Sequence, residues 1–412
     1  RLQAAALGNM GVASWRLGDL DQAEEHLTAA LAVAETHELR DVTAQMLQNL
    51  GIVLADRGAL DAAERHQRRA LAVWREMGAA ESEANVLNAL GTLAWRRGDL
   101  AASRDVHQRA LAIRRELGMR EHVAASLNNL GTVARATGRW DDAGRLFEEA
   151  NAIRREVGDR LGESTTLHNL AKLALLQGEP ARSRRLALES KAIADELGNR
   201  RRQAWNLALL SRVAHAEGDL DGAEPLAEQA LEAYTALGDR RGETSLLLAL
   251  AEIELDGGRA EEARDLCDQA RAIANELGDR WLEGAEARVR GRIAEAAGEN
   301  GEAERLYRLA LATAREAGDA FAAMKAAVEL GRLLSELGRT GEVAGLRTDL
   351  EPFARSHPVS TLLLARLAAV EGRADEALEL GRAAKEAAGE LWSDDLQREL
   401  EELEETAAPR AS

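Results

Sequence analysis

Glycine recurs every forty residues along this chain. Gly18, Gly58, Gly98, Gly138, Gly178, Gly218, Gly258, Gly298 and Gly338 form one series; Gly78, Gly118, Gly158, Gly198, Gly238, Gly278 and Gly318 form a second, half a period away. Two glycines per unit predict two turns per unit. Between the turns, apolar residues recur at intervals of three and four, as in Leu127, Leu130, Val133 and Ala134, which is the periodicity of a helix with one buried face. Each unit is therefore expected to be a helix hairpin, closed by a glycine that can take the left-handed conformation. The Asp in "GDR" at 158–160, 238–240 and 278–280 is placed to cap the helix that follows. Pro180 suits a first turn, whereas Pro225 lies deeper and predicts a late start or a kink.

The positions that stay small carry the packing. Five residues after each first-series glycine except Gly338 stands Ala23, Ala63, Ser103, Ala143, Ser183, Ala223, Ala263 or Ala303, and seven further on stands Ala30, Ala70, Ala110, Ala150, Ser190, Ala230, Ala270 or Ala310; after Gly338 these places hold Val343 and Leu350. In the other helix the equivalent residues are Gly11, Gly51, Gly91, Gly131, Ala171, Ser211, Ala251, Gly291 and Gly331. A glycine inside a helix costs about 1 kcal/mol relative to alanine. Its recurrence implies a compensating gain from close approach of neighbouring helices. A lone hairpin cannot bury its apolar stripe, so successive hairpins are expected to stack. A content of only 3% aromatic residues against 46% hydrophobic, rich in Ala and Leu, favours helix in the same way.

The net charge is −18. Such a surface repels nucleic-acid backbones and anionic membranes on average, so neither is expected as a direct partner of this segment. Cys267 is the sole cysteine and cannot form an internal disulfide, and no secretion signal or bilayer-length apolar run stands out, so a reducing cytoplasm is the expected setting. The chain opens on "RLQAAALGNM", without Met and already within a helical pattern. That opening suggests a piece of a longer protein.

The pattern Leu127, Gly131, Gly138, Ala143, Phe147 and Ala150 resembles the tetratricopeptide repeat in its long, forty-residue variety. The resemblance implies an all-α fold, a right-handed superhelix or α-solenoid of about ten helix hairpins. The places where the family carries Trp and Tyr hold Leu127 or Leu47 and Ala134 or Leu54 here. The phrase "ALAIRRELGMR" at 110–120 is similar to phrases in bacterial multidomain regulators, in which a repeat array follows a nucleotide-binding, DNA-binding or kinase domain; kinesin light chains and animal spindle-orientation scaffolds carry repeats of like length. Forty-residue repeats are expected over 1–338 and shorter, divergent ones over 339–391, with a connector, "EPFARSHP", at 351–358. A polar-backed capping helix with Leu396, Leu400 and Leu403 on one face is expected over 392–407, and a tail over 408–412.

The chain contains no Walker-type phosphate loop, zinc helix, paired cysteine motif or nucleophile elbow. A non-catalytic protein without metal or cofactor is expected. Cys267 occupies the place of Phe147 and Tyr307 in their repeats, and is expected to be a small buried residue. His26 and His66 are one repeat apart and His107 is offset by one; packed helices hold such residues about 10 Å apart, too far to share an ion. Trp74, Trp140 and Trp281 fall near turns or helix ends and suit hairpin closure.

In the family resembled, the first helix of each repeat lines a concave groove. Carried over to this sequence, the groove positions hold Asn88, Trp95, Arg96, Asn128, Arg135, His168, Lys172, Trp205, Arg212 and His215. From the third repeat to the sixth these include four cations and no carboxylate, and farther on Glu252, Asp256 and Glu295 appear beside Arg288 and Arg292. The resemblance implies a scaffold or sensor that holds a protein or peptide, such as an acidic segment or the protein's own upstream domain. The alternative is a small-effector sensor controlling such a domain, with Trp95 and Trp205 as stacking surfaces.

Overall fold

The computed structural model describes residues 1–351, 358–370 and 373–388, together with Gln397, Leu400, Glu401 and Leu403; every regular element among them is helical. Helices pair in the order the glycines predict. The first members of the hairpins are α1 (Leu2–Arg16), α3 (Arg40–Asp56), α5 (Ala80–Arg96), α7 (Arg120–Ala136), α9 (Arg160–Leu176), α11 (Arg200–Ala216), α13 (Arg240–Asp256), α15 (Arg280–Ala296) and α17 (Ala320–Glu336). Their partners are α2 (Leu20–Thr36), α4 (Leu60–Glu76), α6 (Leu100–Glu116), α8 (Trp140–Val157), α10 (Pro180–Glu196), α12 (Leu220–Leu237), α14 (Ala260–Leu277) and α16 (Asn300–Glu316). The chain divides into two compact units. Residues 1–134 and 145–158 form the first, and residues 135–144 and 159–412 the second. No helix among the described residues is long and apolar enough to cross a membrane.

The turns follow from local chemistry. Gly58 sits at φ +89° with open space where a Cβ would lie, and Asp19, Asp99, Asp159 and Asp219 each accept the backbone N–H three residues on. Those carboxylates satisfy donors that a helix start leaves unpaired. In the first repeat Glu38 stands where later repeats have glycine, and it takes φ +52°. Because an L side chain in that region costs about 1 kcal/mol, Glu38→Gly is expected to raise the thermal midpoint, less the entropy that glycine adds to the unfolded chain. An unchanged or lower midpoint would show that the Glu38 side chain offsets its strain. Pro225 does not delay its helix: α12 starts at Leu220 under the Asp219 cap and contains the proline, forgoing the bond its N–H would have made to the preceding turn.

The recurrent mid-helix glycines seat a side chain of the partner helix. A Cβ at Gly131 would come within 2.6 Å of the Phe147 ring, at Gly291 within 2.5 Å of Tyr307, at Gly91 within 2.7 Å of His107, and at Gly51 within 2.5 Å of Gln67. Where the partner residue is small, the glycine is replaced: Ala171 stands sixteen residues before Ala187, Ser211 before Ala227 and Ala251 before Cys267. Each hairpin therefore divides one fixed volume between two positions. Backbones also approach closely at the small positions. Ser103 Oγ donates to the Gly91 carbonyl and Ser183 Oγ to that of Ala171, both at 2.8 Å.

After Gly338 the rhythm breaks. The second helix of that repeat is split into α18 (Thr340–Val343), a 3-10 turn at Ala344–Leu346 and α19 (Arg347–Leu350). Val343 and Leu350, at the small positions, are buried, and Leu346 and Leu363 close over Gly331. Helices α20 (Pro358–Val370) and α21 (Ala374–Ala388) follow. Leu400 and Leu403 are buried and pack over Gly381. Apart from Gln397 and Glu401, the remainder of 392–407, including Leu396, lies outside the described residues, as do the tail and residues 352–357 of the connector.

Candidate binding groove

In the second unit, first helices stand side by side, α9 against α11, α11 against α13, α13 against α15 and α15 against α17. Residues 135–144 belong to the same unit. The Trp140 ring at the start of α8 lies 6.2 Å from that of Phe321 in α17, tilted by 59°. The contact brings the end of α7 to the beginning of α17, and Arg135 is half-buried there. Lys172 on α9 is half-buried as well, and Arg212 on α11 is exposed. Lys325 on α17, at the repeat position of Trp205 but not among the residues named from sequence, joins them.

Arg135 and Arg212 both act on Lys172, and Arg212 acts on Lys325 as well. Burial, then Arg135 and Arg212, push the Lys172 ammonium down to about 7. Arg288 and burial push Lys325 down to about 8, against the attraction of Glu252 and Glu329 and with further repulsion from Arg212. The side chains of Arg135, Lys172 and Lys325 make no hydrogen bond or ion pair with the described residues, and Arg135 Nε is buried without an acceptor. Among the described residues Arg212 reaches only Ser245, at 3.1 Å from its hydroxyl. His168 is pushed down to about 3 by burial and then by Lys172, so it is neutral near pH 7. Because Asn206 Nδ2 donates to the Arg202 carbonyl, its Oδ1 faces His168 Nδ1 at 3.1 Å, and the imidazole donates there. The Arg202 guanidinium lies 5.3 Å over the Trp205 ring.

Farther along the same face, charges are paired. Arg288, buried in α15, binds Glu252 of α13 and, at 2.6 Å, Glu329 of α17; Arg292 binds Asp256 at 2.7 Å, which also meets His215 Nε2 at 2.7 Å. Burial alone would raise the Glu252 carboxyl, but Arg288, Lys325 and Arg292 more than offset it and hold it well below the usual carboxylate range.

The first unit places its predicted residues differently. Asn88 Oδ1 accepts from Asn129 at 3.0 Å and from Arg114 at 3.4 Å, so its carbonyl is committed within the protein. Arg96 is exposed and lies 3.8 Å from Asp56, Trp95 is half-buried, and Asn128 is buried. Arg114 was not among the groove positions. It reaches from α6 to Asn85, Asn88, Ser126 and the His122 carbonyl, and is only 3% exposed. Its signal in the sequence, shared with Arg154 one repeat later, is a cation where other repeats have Ala34, Trp74 or Ala194.

His107 and Cys267 fall into packing roles. His107 is buried beneath Gly91, and burial pushes its imidazole down to about 4. Cys267 is fully buried, and burial raises its thiol, which points at the Glu286 carbonyl. Trp74 is buried in the core of the first unit, whereas the partly exposed Trp281 donates its indole N–H to Asp319 at 2.9 Å.

Models of the tetratricopeptide repeat match residues 2–76, 42–116, 82–156, 122–196 and 162–236, and so cover more than half of the chain without a gap. The chain belongs to the tetratricopeptide repeat family. Further tetratricopeptide models match residues 208–277 and 358–382. No curated protein matches the sequence. Among solved structures, a Rap protein complexed with Competence and Sporulation Factor is similar with a TM-score of 0.64 at 13% identity, over 85% of this chain and 97% of its own. A Rap regulator of plasmid conjugation, in complex with a Phr peptide, is similar with a TM-score of 0.59 at 14% identity, over 69% and 77%. A multidomain signal transduction ATPase from Pyrococcus horikoshii, with a tetratricopeptide repeat sensor, reaches 0.50 at 15% identity, over 88% and 55%. At such identities the likeness is one of fold.

Proposed function

We propose that this tetratricopeptide repeat protein is a non-catalytic scaffold or sensor module that holds an acidic segment of a partner, or of its own upstream domain, on the first-helix face of the second unit. The observation that carries this reading is the set of cations Arg135, Lys172 and Lys325, whose side chains form no ion pair among the described residues although the protein as a whole is at −18. A buried or half-buried charge is expensive without a partner, and a ligand carboxylate would supply one. Two Rap structures of similar fold are complexes with Competence and Sporulation Factor or with a Phr peptide, and we read this chain as a bacterial, cytoplasmic regulator. The small-effector alternative is less well supported, because Trp205 already has Arg202 over its ring.

Reversing Arg135 and Arg212 to Glu is expected to weaken partner binding by at least ~2 kcal/mol, or about 30-fold. Arg68→Gln, which removes a surface pair with Glu64 in the other unit, should change affinity less than about twofold. The measurement is affinity capture followed by calorimetric titration of the purified partner. Equal affinity for wild type and the double reversal would sink the proposed face and leave the fold untouched.

A further inference from the structure

The cation cluster of the second unit has more charge than one carboxylate can answer. Arg135, Lys172, Arg212 and Lys325 come from α7, α9, α11 and α17, four separate helices. Neighbouring carboxylates are largely engaged already, although Glu329 Oε2 is buried without a donor and Glu329 attracts Lys325. Glu252 and Glu329 hold Arg288, and Asp256 holds Arg292 and His215. Asp319, which attracts Arg135 without pairing to it, accepts the Trp281 indole on one oxygen and the Ala322 N–H of its helix cap on the other. The donors that remain approach from different elements, and the Ser245 hydroxyl beside Arg212 adds one more.

A carboxylate carries one charge on two oxygens in a plane. A phosphoryl group carries nearly two on three oxygens arranged in a cone, which can be met from several sides at once. We infer that the Arg135, Lys172, Arg212 and Lys325 cluster is a binding site for a phosphoryl dianion, borne either by a phosphorylated segment or by a free phosphate compound. The inference rests on the reading that this face is where the ligand lies. The arginines supply planar, paired donors and the lysines compact ones. His168 stays neutral and donates to Asn206, leaving the anion to its neighbours.

Binding at this cluster should take up protons. Lys172, at about 7 in the empty site, is mostly neutral at pH 7.5, and an arriving dianion offsets the repulsion from Arg135 and Arg212 that keeps it so. Lys325 contributes the smaller remainder. A phosphoserine group, whose second pKa is about 6, is already a dianion at that pH and releases almost nothing.

The test is calorimetric titration of the whole chain with three probes: inorganic phosphate, acetyl-Ala-phosphoserine-Ala-amide, and acetyl-Ala-Glu-Glu-Ala-amide. The phosphoserine peptide is expected to bind at least about tenfold more tightly than the Glu-Glu peptide. It should also take up about one proton, measured from heats in buffers of different ionisation enthalpy. Lys172→Gln should weaken it about tenfold or more, and Lys172→Arg should keep the affinity but abolish most of the proton uptake. Phosphate binding as tightly as the phosphopeptide assigns the site to a free compound. Phosphopeptide tighter by about tenfold assigns it to a segment, and either result supports the phosphoryl site. Equal affinity for the Glu-Glu and phosphoserine peptides would overturn it while leaving the acidic-segment reading in place. Phosphoserine binding indifferent to both Lys172→Gln and Arg135→Gln, in variants with wild-type helical circular dichroism, would overturn the location as well.

Discussion

Replacing Phe147 with Ala is expected to destabilise the protein by about 3–5 kcal/mol, and adding Gly131→Ala to the same chain is expected to return part of that loss. Phe147 is fully buried, and its ring occupies the space above Gly131 where a Cβ would meet it at 2.6 Å. Gly131→Ala alone must therefore push the ring or separate the helices, which costs about 1–3 kcal/mol. With the ring gone, the same methyl enters a cavity and restores helix propensity worth about 1 kcal/mol. The double variant reproduces the Ala171 and Ala187 combination found one repeat later. Urea unfolding of the four proteins gives the coupling energy, and at least ~1 kcal/mol of favourable coupling is expected. Additive losses would show that the glycine is retained for some other reason than the volume of its partner.

Arg288→Met is expected to cost about 3–5 kcal/mol at pH 7, because it strands Glu252 and Glu329 on a half-buried surface after removing the guanidinium that both bind. The loss should be pH-dependent. In the wild type the Glu252 carboxyl is held below its ordinary value, so its pairing stabilises the fold above the unfolded carboxylate pKa, near 4.3, and is lost as pH falls through the lower folded value. In the variant the burial of Glu252 loses its main offset, its folded pKa rises, and the stability penalty shrinks as pH drops from 7 towards about 5. Denaturant titrations of both proteins at the two pH values measure this. An equal penalty at both would mean that Lys325 and Arg292 suffice to keep Glu252 charged.

Much of the hairpin architecture is legible in the sequence because its causes are local. The glycine series marks each turn, the Asp that follows caps the next helix, and the small residues show where partner helices touch, all within forty residues of one another. The pairing of Gly131 with Phe147 is written at a fixed offset of sixteen and repeats along the chain. Even so, the meaning of the glycine required the structure, since close backbone approach and room for a ring predict the same residue. Glu38, at φ +52°, shows a turn imposed by its neighbours where the local signal is missing.

The binding face is different. Periodicity located Arg135, Lys172 and Arg212 on first helices, but Lys325 lies farther along the chain, at a position held by Trp205 three repeats earlier. It reaches their company because the start of α8, next to the end of α7, meets the start of α17 at Trp140 and Phe321. That meeting depends on the small rotation each hairpin adds to the next, summed over several repeats, and no single repeat encodes the sum. Which charges are paired is likewise a property of neighbours: Arg96 finds Asp56 and Arg292 finds Asp256, whereas Lys172, at the repeat position of Arg292, finds only other cations among the described residues. Spacing along a helix determines which side a residue faces; only the packing of several helices decides what stands opposite it, because opposition is a distance in space between residues whose separation in sequence is unconstrained.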